Sequence, residues 1–243
     1  MPDSEKISQS DRGLIDLRTL VLGGEFPANA RLPETALAKR LGISRTPLRH
    51  AMARLVDEGL LERNETGGCR VATFTMADII DAIEIRGVME GTAARRAAER
   101  GISPEQSAAG HALLDDIDVA LANTNQPDFD SYVLLNASFH DLISTLPGSA
   151  VIKREVDRAS SLPLASPSAF LKGQELIPDF KASLQVAQSQ HKSIFDAIES
   201  REGTRAEAIA REHARLASKN AKFITQERPN LVDRVPGLAL VSN

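Results

Sequence analysis

The chain has 243 residues, of which 42% are hydrophobic and 4% aromatic, and its formal net charge is −4. This length predicts one large or two smaller domains with enough apolar residues for a core. The one cysteine, Cys69, excludes an intrachain disulfide and a cysteine-based zinc site. No apolar segment approaches the roughly 20 residues that cross a bilayer, and the polar start does not resemble a signal peptide. We therefore expect a cytoplasmic protein without a membrane partner.

The first part of the chain shows helical periodicity followed by a hairpin pattern. Residues 11–22 predict one helix, a second begins near Pro33, and a third begins after Ser44 as its N-cap. Gly42 supplies the turn between the second and third helices. Two short extended runs around residues 66–68 predict a hairpin. This order is typical of a winged helix-turn-helix.

From Thr75 the pattern is helical almost to the end. Helices are predicted over residues 76–100, 104–123, 128–145, 150–162, 178–200 and 203–226. A Pro/Ser-rich loop precedes the fifth of these, and the breaker-rich residues after Arg228 are expected to form an extended arm. The predicted fold is mainly α. It has a winged helix-turn-helix over residues 1–74, an all-helical bundle over 75–228 and a tail over 229–243.

The winged helix-turn-helix region carries the residue types that contact DNA. Residues 31–70 contain eight basic and five acidic side chains, so this window has a charge of +3 and the rest of the chain −7. The start of the third helix would enter the major groove, where arginine pairs bidentately with guanine. Helix-start hydroxyls and N–H groups favour phosphates, and glycines leave the hairpin tip free to enter the minor groove. Any one exposed arginine is explained by a well-capped helix, but the combination indicates DNA binding. The candidate residues are Arg31, Ser44, Arg45, Thr46, Arg49, Gly67, Gly68 and Arg70.

Three histidines of the helical region are predicted to point into its interior. His140, His191 and His213 lie on three different helices, and each shares a helix face with apolar residues. Asn136 lies four residues before His140 on the same face. Three converging neutral imidazoles suit a divalent transition metal, zinc above all. A lone histidine on an apolar face is more often a hydrogen-bonded core residue, and the sequence leaves open whether the three meet.

Two segments resemble a known family. "RLPETALAKRLGISRTPLRHAMARLVDEGLLER" resembles the signature of GntR-family transcription regulators. "DIIDAIEIRGVMEGTAARRAAERG" resembles the start of the all-helical ligand-binding domain of the FadR-like branch, the FCD type. The sequence of these segments is most similar to that of the vanillate-repressor subgroup, and the resemblance ends near the predicted tail. It implies that Arg45 and Arg49 read bases, that Thr46 holds the DNA backbone and that the wing glycines approach the minor groove. His50 stands where the family usually has glutamate, and Thr35 where some relatives have a base-reading arginine, so no operator sequence is predicted.

For the helical domain, the resemblance implies a divalent metal at Asn136, His140, His191 and His213, with Zn²⁺ first and Ni²⁺ or Mn²⁺ as alternatives. Asn136 stands where many relatives have aspartate. Because an amide is a weaker, neutral ligand, the metal is expected to bind less tightly or to rely on the three histidines, which leaves room for an anionic effector.

Arg86 and Glu90 lie four residues apart on one helix face. One interpretation is an exposed ion pair, which contributes about 0.3–0.5 kcal/mol. The resemblance implies instead that Arg86 faces a cavity and holds an effector carboxylate, with Glu90 beside it. This cavity is expected to be doubly cationic, with apolar walls from residues 191–198 and 209–216.

These patterns predict a homodimeric regulator that binds a pseudo-palindromic operator of a catabolic operon. Repression is expected, with release by a small carboxylate: an aromatic acid such as vanillate first, a citrate-like acid second. Two rivals stay open. A metal-dependent enzyme also uses three histidines and an open position, with Asp141 or Glu212 as its candidate base. A helical interaction protein is the other, and the basic N-terminal module argues against both.

Overall fold

The computed structural model describes residues 8–65, 67–122, 127–168, 180–227, 235 and 237–242. Over these residues the fold is helical apart from one two-stranded sheet, which confirms the predicted mainly α class. Among them, none of the helices combines the length and apolar character needed to cross a bilayer. The elements in chain order are α1 Gln9–Leu22, α2 Glu34–Leu41, α3 Arg45–Asp57, β1 Leu61–Arg63, β2 Cys69–Val71, α4 Met76–Arg100, α5 Pro104–Leu121, α6 Phe129–Thr145, α7 Ala150–Ser160, α8 Phe180–Glu199 and α9 Gly203–Glu227.

The chain divides into two compact units, which are described separately. The N-terminal unit comprises Met1–Met76 together with Pro236–Asn243, and the helical unit comprises Ala77–Val235. The N-terminal unit therefore contains α1–α3 and the hairpin, and also the last residues of the chain. The helical unit contains the rest of α4 and all of α5–α9.

The N-terminal unit is built on a core shared by its three helices and its hairpin. α1 begins at Gln9, two residues earlier than predicted, because the Ser8 side chain caps it by accepting a hydrogen bond from the Asp11 N–H. Gly42 has φ +64 and ends α2 in the left-handed region that favours glycine, so α3 can start at a new angle. Ser44 occupies the N-cap position of α3, but its side chain makes no capping hydrogen bond. The buried core residues include Leu14, Leu17, Leu37, Leu48, Met52, Leu55, Leu61 and Val71.

The hairpin of this unit is antiparallel. Leu61 pairs with Val71 and Arg63 with Cys69. Arg31 forms an isolated antiparallel bridge with Arg70, so the segment before α2 lies beside the hairpin. These pairings place the hairpin as the wing of a winged helix-turn-helix.

The helical unit has the six helices that the sequence predicts, with ends that differ by one or two residues. α4 has a long buried face, and a Cβ at Gly87 would lie 2.8 Å from the Ala214 side chain of α9. This approach is close because glycine and alanine face each other. Part of the predicted Pro/Ser-rich loop, residues 169–179, lies outside the described residues.

The tail differs from the expected extended arm. Residues Leu238–Leu240 form a 3₁₀ turn, and both leucines are buried. Val241 makes a parallel bridge with Phe74 of the N-terminal unit. The expectation was wrong for these residues because Leu238 and Leu240 are buried, and Leu240 joins the apolar core of the N-terminal unit. A local pattern of helix breakers does not reveal such a long-range contact. Residues 228–234 lie outside the described part of the chain.

Candidate functional site

The start of α3 presents four of the predicted DNA-contacting residues to solvent. Ser44, Arg45, Thr46 and Arg49 are all exposed. The Arg45 and Arg49 side chains keep 59% and 60% of their surface exposed. They emerge from a rigid helix whose opposite face, including Leu48 and Met52, is buried in the core. The arrangement can present two guanidinium groups to a groove or a phosphate.

Glu34, at the start of α2, holds both of these arginines. Its Oε2 accepts a hydrogen bond from Arg49 Nε at 2.8 Å and lies 3.5 Å from Arg45 Nη2. The hydrogen bond from Arg49 lowers the pKa of Glu34 most, against a smaller opposing effect of burial. Sequence reasoning missed Glu34 because it lies 11 residues or more before its partners, on another helix.

The wing carries the remaining predicted DNA contacts. Gly67, at the tip, has φ +85, and no atom lies within 4 Å of a Cβ built there. Gly68 follows it, and a Cβ there would lie 3.7 Å from Arg31 Nε, so the Arg31 side chain extends along the wing. The Arg70 guanidinium donates to Glu62 Oε2 at 2.6 and 2.9 Å. Thr66 is outside the described residues.

The helical unit brings three histidines together in its interior. His140 of α6, His191 of α8 and His213 of α9 are 8%, 0% and 7% exposed. The Nε2 atoms of His191 and His213 lie 3.1 Å apart, and those of His213 and His140 lie 3.3 Å apart. Each ring offers one nitrogen, and these nitrogens all lie within 4.8 Å of one another.

The other nitrogen of each ring, Nδ1, has its own oxygen partner. His140 Nδ1 donates to Glu90 Oε1 at 2.9 Å. His191 and His213 contact the amide oxygens of Gln188 and Gln190, at 3.2 and 3.1 Å. Because these oxygens accept hydrogen bonds, Nδ1 carries the proton and Nε2 of each neutral ring presents a lone pair.

Three lone pairs that face one another at these distances repel unless a cation lies between them. In a tetrahedral zinc site with Zn–N bonds of about 2.0–2.1 Å, neighbouring nitrogens are roughly 3.3–3.4 Å apart. Two of the three separations, 3.1 and 3.3 Å, are close to that value, and all three ligand nitrogens lie within 4.8 Å of one another. The oxygen partners at Nδ1 match the outer shell that fixes the tautomer of metal-binding histidines. The residues therefore fit a divalent transition metal.

Burial keeps two of these rings neutral. It lowers the pKa of His191 well below the usual value, and the nearby His140 adds to this effect. The pKa of His213 is lowered by burial and then by His191 and His140. Neutral imidazole is the form that binds a metal, so no proton has to be displaced from these rings near neutral pH.

Glu90 and Arg86 form a buried pair beside this cluster. They are 3% and 2% exposed, so they are not the surface ion pair considered above. Arg86 Nε lies 3.7 Å from Glu90 Oε2, and neither Nε nor Nη1 of Arg86 has a hydrogen-bond partner among the described residues. Burial alone would raise the pKa of Glu90, but its interactions with His140 and Arg86 outweigh burial and lower the pKa to about 2. Glu90 thus contacts His140 of the cluster, and the negative charge of Glu90 balances the positive charge of Arg86.

A small cavity that is partly open to solvent lies next to the cluster. Arg86, Asn136, His140 and His213 line it together with Tyr132. Its apolar wall comes from Pro167, Phe180, Leu184, Ala187, Leu216 and Ala217.

Three details of this cavity differ from the expectation or add to it. Asn136 lines the cavity while its Nδ2 faces Pro167 O and Ser168 Oγ, at 3.4 and 3.5 Å. The wall uses α8 near residues 180–187, not 191–198, since Ile194 and Ile198 are buried but do not line the cavity. Because the negative charge of Glu90 balances the positive charge of Arg86, the side chains do not make the cavity doubly cationic, and a net positive charge would require a bound metal.

The residues considered as an enzymatic base lie outside this cluster. The Asp141 side chain is 65% exposed and pairs with Lys153 at 3.1 Å. The Glu212 side chain is 48% exposed and pairs with Arg215 and Lys219.

Comparisons with known proteins match both units. Residues 15–71 match the family described as bacterial regulatory proteins, gntR family, and residues 81–216 match the FCD domain. The chain is 23% identical over 211 residues to the HTH-type transcriptional regulator YdhC of Bacillus subtilis (strain 168), covering 87% of this chain and 90% of that one. It is 25% identical over 203 residues to the HTH-type transcriptional repressor RspR of Escherichia coli (strain K12), covering 81% of each. The solved structure of E. coli McbR/YncC has the same fold, with a TM-score of 0.66 at 19% identity over 91% of this chain and 99% of that one.

The fold and these matches define a DNA-binding transcription regulator with a winged helix-turn-helix and a helical second domain. The chain belongs to the GntR family and carries an FCD domain. This membership confirms the predicted class and, since the relatives are regulators, the prediction that the chain is not an enzyme. The vanillate-repressor subgroup is not assigned by these relatives and stays a prediction.

Proposed function

We propose that this regulator is a metal-loaded, homodimeric repressor that a small carboxylate releases from its operator. The N-terminal unit would read the major groove with Arg45 and Arg49, hold phosphates with Ser44 and Thr46, and place the wing, with Gly67, Gly68, Arg70 and Arg31, near the minor groove. A two-fold dimer would match a pseudo-palindromic site. Its place of action is the cytoplasm, where bacterial operator DNA lies.

We propose Zn²⁺ as the metal at His140, His191 and His213, with Ni²⁺ and Mn²⁺ as alternatives. The convergent Nε2 atoms support this proposal, since each ring is already oriented by an oxygen at Nδ1. Asn136 lines the adjacent cavity and is a candidate fourth ligand through its amide oxygen. Three histidines with a weak or absent fourth ligand leave a coordination position for a bound molecule.

The effector class follows from the groups that line the cavity. The observation that carries it is Arg86, which is buried, lines the cavity and has two nitrogens without hydrogen-bond partners among the described residues. Unsatisfied buried donors are costly, so a ligand that brings acceptor oxygens is favoured there. A carboxylate fits a guanidinium bidentately and can also approach the metal.

The rest of the effector would pack on the apolar wall formed by Phe180, Leu184 and Leu216. A planar aromatic acid of modest size suits this combination of one charged end and one apolar wall. We therefore propose an aromatic acid, such as vanillate or a hydroxycinnamate, and a citrate-like acid as the second candidate. An operon for the catabolism of such acids is the proposed target.

Release of DNA requires that the effector favour an arrangement of the protein that does not bind the operator. A ligand shifts such an equilibrium only by its difference in affinity for the two arrangements. The same acid should therefore bind less tightly when operator DNA is present.

The test is calorimetric titration of zinc-loaded protein with vanillate, a hydroxycinnamate, citrate and the amide of each aromatic acid. One of the acids should bind and weaken the complex with DNA from upstream of the protein's own gene, while its amide should do neither. Arg86→Met, which keeps an unbranched side chain but removes the guanidinium and its charge, should abolish the difference while zinc content stays unchanged. Equal binding of acid and amide would refute an effector held by its charge.

A further inference from the structure

The last residues of the chain are part of the N-terminal unit, although the whole helical unit separates them from it in sequence. We call residues 237–242 the C-terminal strap. Leu238 and Leu240 of the strap are 0% and 1% exposed, and Leu240 belongs to the same apolar core as Leu14, Leu55 and Val71. The strap lies beyond both family matches, which end at residues 71 and 216.

Backbone hydrogen bonds hold the strap at two places. The Gly237 N–H donates to Leu22 O at 2.7 Å, which satisfies a carbonyl in the last turn of α1. Phe74 is bonded on both sides: its N–H donates to Leu240 O at 3.1 Å, and its carbonyl accepts from the Ser242 N–H at 2.8 Å. Gly237 has φ +85, a conformation that a residue with a side chain rarely adopts, so the strap has a turn residue suited to docking here.

The two segments that these bonds join are connected in sequence to two helices of the helical unit, α4 and α9. Phe74 lies two residues before α4, the helix that carries Arg86 and Glu90. The strap follows α9, the helix that carries His213. The segments that leave these two helices therefore meet in the bridge between Phe74 and Val241.

We propose that the C-terminal strap is an integral part of the DNA-binding unit. Because the strap completes this unit, two stretches of chain, and not one, connect it to the helical unit. One connection is the direct passage from Phe74 into α4. The other runs from α9 through the strap. Without the strap, the core around Leu240 is open, α1 loses a partner at its C-terminal end, and only one connection remains.

The first test is a chain that stops after Pro236. Hydrogen exchange over residues 14–21 and at Phe74 should rise by about tenfold or more, since their local opening becomes easier. The unfolding temperature of the N-terminal unit should fall by about 5 °C or more, while the helical unit keeps its zinc content. Affinity for the upstream DNA should fall in parallel. Unchanged exchange and DNA affinity would overturn the proposal.

Further variants keep the proposal testable if the shortened chain does not fold. Leu240→Ala should show the same changes to a smaller degree, whereas Leu134→Ala, at a leucine that is 70% exposed in α6, should show none. Adding the peptide PGLALVSN in excess to the shortened chain should restore slow exchange in the N-terminal unit. Six Gly/Ser residues inserted after Asn230 should leave that exchange slow, because the strap can still dock. If the insertion were as damaging as the truncation, docking would not be the cause and the proposal would fail.

Discussion

The Glu90 carboxylate and the His140 imidazole share a buried hydrogen bond of 2.9 Å, made by Nδ1 of the ring. The sequence pattern paired Glu90 with Arg86 as part of an effector site. The structure places it at the back of a histidine whose Nε2 faces two other imidazoles. A carboxylate at this place fixes the tautomer and increases the basicity of the ring as a ligand.

The first prediction concerns this contact. Glu90→Gln keeps the size and an acceptor oxygen but removes the charge, so zinc affinity should fall by about tenfold, within the range for outer-shell changes. The measurement is competition with a chromophoric chelator at pH 7. Glu84→Gln is the matched control, since Glu84 lies on the same helix but pairs with Arg211 and Arg215 at the surface. Equal losses in both variants would assign the effect to the charge of α4 instead of to His140.

The second prediction concerns the histidines themselves. His140→Ala, His191→Ala and His213→Ala should each lower the zinc retained after gel filtration, because each removes one converging nitrogen. His50→Ala and His111→Ala should retain the metal, since both side chains are exposed and lie outside the cluster. Elemental analysis gives the answer directly. Equal metal content in all five variants would mean that the cluster does not bind the metal.

The third prediction concerns base recognition. Arg49→Ala should reduce discrimination between the natural operator and a mutated one by about 1–3 kcal/mol, the value of one bidentate base contact. Arg54→Ala is the control, because Arg54 lies in the last turn of the same helix and pairs with Asp11. Titration of both DNAs at matched salt decides the matter. Wild-type discrimination in Arg49→Ala would exclude α3 as the recognition helix.

The fourth prediction concerns Glu34, whose carboxylate competes with DNA for the guanidinium groups of Arg45 and Arg49. Glu34→Gln should raise affinity for non-specific DNA and steepen its salt dependence, because two guanidinium groups are released for phosphates. Discrimination in favour of the operator should fall. Glu25→Gln makes the same charge change at the Arg40 pair and should alter neither quantity as much. Identical behaviour of the two variants would mean that Glu34 affects DNA binding only through the net charge of the protein.

Local patterns in the amino-acid sequence were enough to predict the local structure and the residue types of both sites. Apolar periodicity and caps act over about four residues, which is why the helices from α1 to α9 and the wing could be predicted to within one or two residues. The glycine turn and the two arginines of α3 are likewise a local pattern. The positions of Asn136, His140, His191 and His213 on inward helix faces followed from the same period.

Which of these groups come into contact depends on the packing of the whole chain and could not be predicted from local patterns. The Nε2 atoms converge, Glu90 contacts His140, and Glu34 contacts Arg49, in each case through side chains from different helices. The C-terminal strap is the clearest example, since Leu240 is more than 160 residues from Phe74 in the sequence, and yet its carbonyl accepts a hydrogen bond from the Phe74 N–H. Such contacts depend on how apolar surfaces pack across the whole chain. The residue pattern within one segment does not specify which distant surface that segment will pack against.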